Sequence, residues 1–260
     1  MRTSHETAIQ RVVSEACVLV GAGRAILLQV AHPKVAQGVA EHSNFTEHPF
    51  KRLRGTLDFI YSSTLGTPEE SAWVSGHVNR IHTYVKGPGY SADDPDLQLW
   101  VAATLYQSAV QIYELMLGPM STAMREEFCR ESSVYGTLLG CPEDLWPSSV
   151  EEFEKYWESA LAALVVSDEA KRICHDLLYS KAIPLLLRPL LPVNRLITTG
   201  LLPEDVREQF GLVWGPRRER LFHAGMRMAR LMYPWVPRRV RRLPMTLYMQ
   251  YFRRRFRAYA

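Results

Sequence analysis

Apolar residues in this chain recur at spacings of three and four between proline and glycine stops, a pattern that fits little besides packed helices. Leu53, Leu57, Ile60 and Thr64 mark one face of a helix from about His48 to Leu65. Val74, Val78, Ile81 and Val85 mark another, opening at Thr67-Pro68-Glu69-Glu70. There Thr67 suits the N-cap, Pro68 the first turn, and the two glutamates the positive end of the helix dipole. Lys86-Gly87-Pro88-Gly89 stops it. A third helix opens at Asp94-Pro95, runs to about Leu117 and closes at Gly118-Pro119. Further helices are predicted over 121–138, 148–165, 168–181, 203–211, 216–232 and 243–257. Strand-like alternation bounded by hairpin turns is absent, as are Asn-Gly and Asp-Gly dipeptides. The predicted class is all-α. Without an internal repeat or a long linker, residues 1–260 read as a single domain, its C-terminal third cut into shorter helices by prolines 184, 189, 192, 234, 237 and 244.

Of the 260 residues, 47% are hydrophobic and 22% charged, which excludes a disordered or collagen-like chain and allows a substantial core. No apolar run reaches the roughly 18–20 residues of a membrane span. The best candidate, Ala16 to Ala31, contains Arg24. Met1 to Gln10 lacks the apolar centre of a secretory signal, so the expectation is a soluble, cytoplasmic protein. Cys17, Cys129, Cys141 and Cys174 form no C-x-x-C pair and read as buried free thiols.

Charge is unevenly placed. Residues 216–260 carry thirteen Arg, no Lys and one acid, Glu219, contributing +12 to a net charge of +4 and leaving −8 elsewhere. Three readings stand. The basic segment is a solvated face or docks on the acidic body. Alternatively it makes peripheral contact with anionic lipid, because Phe222, Met226, Met228, Met232, Trp235, Tyr248, Phe252 and Phe256 interleave with the arginines. Nucleic-acid binding ranks third and is not expected, since no reading motif accompanies the stripe.

Five of the eight histidines, His32, His42, His48, His77 and His82, fall within positions 32–82. His82 follows Val78 by four residues and adjoins Ile81, which suits a hydrogen-bonded core histidine or an imidazole ligand to a metal or haem iron. His77 lies about 140° round the same helix, so the two cannot chelate one ion. Arg52 and Thr56, at i and i+4, share a helical face. They read either as unremarkable surface groups or as a pair that holds an anion, a haem propionate or an iron-bound oxygen species. No Glu-x-x-His, His-Glu-x-x-His, P-loop, Gly-x-Gly-x-x-Gly or Gly-x-Ser-x-Gly motif is present. Gly21-Ala22-Gly23 has no preceding strand and reads as helix termination or close packing.

Several ordered motifs coincide with one family. They are Gly21-Ala22-Gly23-Arg24 through Ala31-His32-Pro33, Gly38-Val39-Ala40-Glu41-His42-Ser43, Arg52-x3-Thr56, His82-x2-Val85-x-Gly87, Tyr90-Ser91-Ala92-x-Asp94-Pro95 and Trp100-Val101. Over about residues 15–165 the chain resembles the MpaB-like oxygenases, which include the catalytic domain of latex-clearing rubber oxygenases. The resemblance implies a helical protein that binds haem b (iron), with His82 as axial iron ligand and Arg52 and Thr56 on the distal side. His32 and His42 then read as supports of the iron ligand, as propionate partners or as structural groups. Glu41 is a conceivable general base. Where the rubber oxygenases carry a lysine that can cap the iron, this chain has Gly55, so no lysine-capped state is expected.

The function expected from these features is a haem-dependent oxidoreductase acting on a small apolar or aromatic metabolite with O2 or peroxide, by oxygen insertion or oxidative C=C cleavage. Oxidative coupling or desaturation, or haem binding without turnover, stand as alternatives.

Overall fold

The computed structural model describes residues 6–43, 49–180 and 185–259. α1 (Ala8–Val13) leads through a 3-10 segment (Ala16–Gly21) into α2 (Ala22–Ala31) and α3 (Pro33–His42). α4 (Pro49–Leu65) and α5 (Pro68–His82) form a hairpin, followed by the two-residue antiparallel strands β1 (Lys86–Gly87) and β2 (Tyr90–Ser91). α6 (Pro95–Leu117), α7 (Thr122–Glu131), α8 (Val134–Thr137), α9 (Val150–Ala162) and α10 (Asp168–Leu178) come next. The remainder is α11 (Leu191–Leu201), α12 (Glu204–Gln209), α13 (Pro216–Met232), a 3-10 turn (Tyr233–Trp235), α14 (Arg238–Arg241) and α15 (Leu243–Tyr259). The fold is all-α.

Local chemistry accounts for the clearest boundaries. Thr67 and Glu70 form a reciprocal capping box on α5. Asp94 caps α6, and Gly118 ends it with φ 93°, a left-handed conformation that suits glycine. α6 is the axis of the core: Trp100, Ala103, Tyr106, Val110 and Ile112 are buried along it. The predicted helix over 121–138 is in fact broken between α7 and α8. There Ser132 and Ser133 turn their hydroxyls back onto the Phe128 and Arg130 carbonyls. The stop at 86–89 is a hairpin turn rather than a plain helix end, with Gly89 at φ 81°. The helix expected from about His48 is described from Pro49; His48 lies outside the described residues. α1, α2, α3, α11 and α14 are helices beyond those predicted.

Arg24 is not a blemish in an apolar run but a bolt. Only 3% exposed, it donates from Nε to the Leu201 carbonyl (3.0 Å) and from Nη1 to Ser108 Oγ (2.7 Å). Leu201 is the last residue of α11, where helix carbonyls lack partners and the dipole is negative, so the buried cation is matched without a carboxylate. Burial still pushes its pKa down to about 9. A Cβ at Gly23 would lie 2.3 Å from Thr198 Oγ1, which makes close packing of α2 on α11 the role of that glycine.

The arginine-rich segment divides in two. α15 docks on the α4–α5 hairpin: Met249 and Phe252 are buried, and Trp73 meets the rings of Phe252, Phe256 and Tyr259. Arg255 forms a two-pronged pair with Asp58, and Arg253 pairs with Glu70. Phe222, Met226 and Phe252, expected to interleave with arginines at a lipid surface, are core residues; Tyr248 and Phe256 are half-buried. All four cysteines are buried and free. Among the described residues no single helix is long and apolar enough to cross a membrane.

Candidate functional site

The C-terminal end of α3 gathers the motif residues. Tyr90, 5% exposed, lies against Gly38 and Gly87; a Cβ on Gly87 would lie 2.6 Å from its ring and one on Gly38 3.3 Å from it. With both positions stripped to hydrogen, the ring lies flat and its hydroxyl reaches α3. Tyr90 Oη donates to Glu41 Oε2 at 2.5 Å, and Gln37 donates to the other carboxylate oxygen at 3.0 Å. With the phenolic proton committed to Glu41, His42 Nε2 donates to Tyr90 Oη at 3.0 Å. The hydrogen bond from Tyr90 holds the Glu41 carboxyl below its ordinary range, and the same bond pushes the phenol up to about 12.

One residue further on, Ser43 Oγ accepts from Arg52 Nη1 at 2.9 Å, tying the end of α3 to α4. Arg52 is half-buried, and burial pushes its pKa down. Thr56 shares its face as the i,i+4 spacing requires. It is exposed, and its hydroxyl is turned back onto the Arg52 carbonyl at 3.2 Å. Gly55 faces open space, with no atom within 4 Å of a Cβ built there.

His82 is the last residue of α5. It is half-buried, and its Nδ1 is buried with no hydrogen-bond partner among the described residues. Burial lowers its pKa, Asp93 acts in the opposite direction, and the Arg52 charge lowers it further. Burial and the α4 guanidinium thus both favour the neutral imidazole. His32 is the N-cap residue of α3 and also has a buried, partnerless Nδ1. Burial and Lys34 lower its pKa against the pull of Asp94. The two histidines thus feel adjacent carboxylates, His82 that of Asp93 and His32 that of Asp94. His77 is exposed.

The structure therefore links His42 and Arg52 through the end of α3, and sets Arg52 within electrostatic reach of His82. His32 stands at the α2–α3 corner and Thr56 on the open side of α4. Tyr90 and Ser43 are residues to which the sequence alone assigns no role. The signal that could have found Tyr90 is the pair of glycines, 49 positions apart, between which its ring lies. Leu53, Ile81 and Tyr84, neighbours in the chain of Arg52 and His82, leave large apolar surfaces exposed.

The oxygenase family described as "ER-bound oxygenase mpaB/B'/Rubber oxygenase, catalytic domain" matches residues 9–231, extending well past the stretch of resemblance recognised from motifs. An uncharacterized protein of Mycobacterium bovis and one of Mycobacterium tuberculosis are each 32% identical over 224 residues, covering 82% of this chain and 88% of the relative. No solved structure matches.

Proposed function

The chain belongs to the mpaB/rubber oxygenase catalytic-domain family, and on that premise we propose that it is a haem-b-dependent oxygenase of a small apolar or aromatic metabolite. The observation that carries this reading is His82. Its imidazole is half-buried with a buried nitrogen that has no partner among the described residues, burial favours its neutral form, and it ends a helix whose hairpin partner carries Arg52. Those are the properties of a ligating histidine rather than of a core histidine satisfied by its neighbours. The exposed apolar surfaces of Leu53, Ile81 and Tyr84 suit an apolar macrocycle and an apolar substrate.

Haem, when bound, supplies the centre that activates O2 or peroxide. The chain's own groups supply the rest. His82 would hold the iron through its imidazole. Arg52, anchored by Ser43, would hold a positive charge for a propionate or for a substrate oxygen that gains negative charge. Thr56 exchanges its bond to the Arg52 carbonyl for one to a water or substrate oxygen. His42 and Glu41, bridged by Tyr90, hold a proton at the phenolic oxygen and fix the end of α3; His32, at the other end of α3, is a second candidate to support the cofactor. We also read residues 1–260 as a single domain, because the main core cluster draws on elements from Ala8 to Phe252 and the smaller second cluster shares α6 with it through Ile112 and Met116.

The test is an absorption spectrum from 350 to 700 nm of protein expressed with haem supply, beside His82→Ala. A Soret band near about 400–415 nm, lost or shifted in the variant, is the expected result. A flat spectrum overturns haem dependence, and a band indifferent to His82→Ala moves the ligand to His32 or His42.

A further inference from the structure

α13 has two apolar faces where a surface helix needs one. Phe222, Met226, Ala229 and then Tyr233, at spacings of four, three and four, pack inward with Ile112 and Leu201. Leu221, Ala224, Met228, Leu231 and Trp235 repeat at three and four on the other side and are exposed. Leu231 is 72% exposed and Trp235, in the 3-10 turn that follows, 88%. Beside them an open apolar groove of about 350 Å³ runs between Cys17, Val20, Met116, Met232 and Val236. Arg217, Arg220, Arg227, Arg230 and Arg239 surround this face, and none has a carboxylate partner among the described residues. α15, by contrast, places Arg253 on Glu70 and Arg255 on Asp58.

We propose that the outer face of α13, with Trp235 at its end, docks on an anionic lipid surface. Apolar side chains that protrude between cations match a bilayer interface. Leucine, methionine and tryptophan enter the acyl boundary there, while arginines bury their stems and keep their guanidinium groups at the phosphates. A second copy presenting the same face would set arginine against arginine. A nucleic acid would answer the charge but leave Leu221, Met228 and Leu231 in water. The inference does not depend on haem or on any oxygenase activity.

The test is co-sedimentation of the full chain with vesicles of phosphatidylcholine alone or mixed equally with phosphatidylglycerol. Binding to the mixed vesicles only, weakened by salt, is expected. Leu231→Ser with Trp235→Ser should lower it by at least roughly tenfold, at an unchanged melting temperature because both side chains are exposed. Arg227→Gln with Arg230→Gln should weaken it and flatten its salt dependence. Absence of binding to the anionic vesicles overturns the proposal. So does a dimer in sedimentation velocity that Leu231→Ser dissociates while vesicles bind nothing. Vesicle binding that survives Leu231→Ser with Trp235→Ser, matched by equal binding to DNA, also overturns it and identifies a general polyanion surface.

Discussion

The α4–α5 hairpin is held differently on its two sides, and the contrast separates stability from chemistry. On the side covered by α15, charges are answered. Asp58, 8% exposed, receives both prongs of Arg255 and the Tyr248 hydroxyl at 2.8 Å, and Glu70 takes Arg253 while completing the α5 capping box. On the side of Arg52 and His82, two imidazole nitrogens are buried without being matched. His82 and His32 each keep a buried nitrogen without a partner, Arg52 binds a serine hydroxyl, and Gly55 opens onto space. A buried polar atom left without a partner costs about 1–3 kcal/mol. A hairpin that bears two such atoms nearby therefore needs a brace elsewhere, and α15, beyond the matched family region, is placed to be one.

Breaking the brace should have the largest effect. Asp58→Ala strands Arg255 and Tyr248 and should lower stability by about 3 kcal/mol, read from the urea midpoint and shared with Arg255→Ala in a double-mutant cycle. A loss below about 1 kcal/mol would place the pair with ordinary surface bridges and remove the distinction between the two sides. Next in size is Gly87→Ala on the open side. The added methyl meets the Tyr90 ring at 2.6 Å, and the clash should cost about 2 kcal/mol while separating Tyr90 from Glu41 and His42. If stability is unchanged, the ring has moved without loss, and the α3–Tyr90 network is not what orders this end of the site.

What the sequence makes legible follows from how local each determinant is. α5 and α6 are readable because Thr67-Pro68-Glu69-Glu70, Asp94-Pro95 and Gly118 act within a turn of themselves. α13 is readable to the residue from Pro216 and its apolar period. The break at Ser132–Ser133 is not, because serine hydroxyls compete for helix carbonyls without interrupting an apolar pattern. Nor is the site. Tyr90 meets Glu41 49 positions away, and Arg255 meets Asp58 197 positions away, by contacts that no periodicity records. Arg52, Thr56 and His82 stood out through spacing and family motifs, yet only the folded chain shows that Thr56 spends its hydroxyl on Arg52 and that Ser43 anchors the guanidinium. The tail's charge was plain at once; its division into a docked α15 and an open α13 depends on where the acids lie in space.

The smallest effects should appear in the pH dependence of stability, where the two kinds of region respond in separate windows. His32 has its pKa lowered on folding from the ordinary 6.5, by burial and by Lys34, so below that value the unfolded chain takes up a proton before the folded one. Its contribution is complete above pH 6.5 and is lost as pH falls through the lower folded value. Glu6 is held below its ordinary 4.5; burial opposes this, but Arg242 and Arg238 prevail. Its contribution stands above 4.5 and is lost only in more acid solution. Urea midpoints of His32→Gln across pH 5 to 7 should therefore show a flatter slope than the parent, whereas Glu6→Gln should keep that slope and flatten the one below 4.5. An unchanged slope in His32→Gln would mean that the histidine is as well solvated folded as unfolded. That ring would then carry no stored cost, and the contrast with the brace would rest on His82 alone.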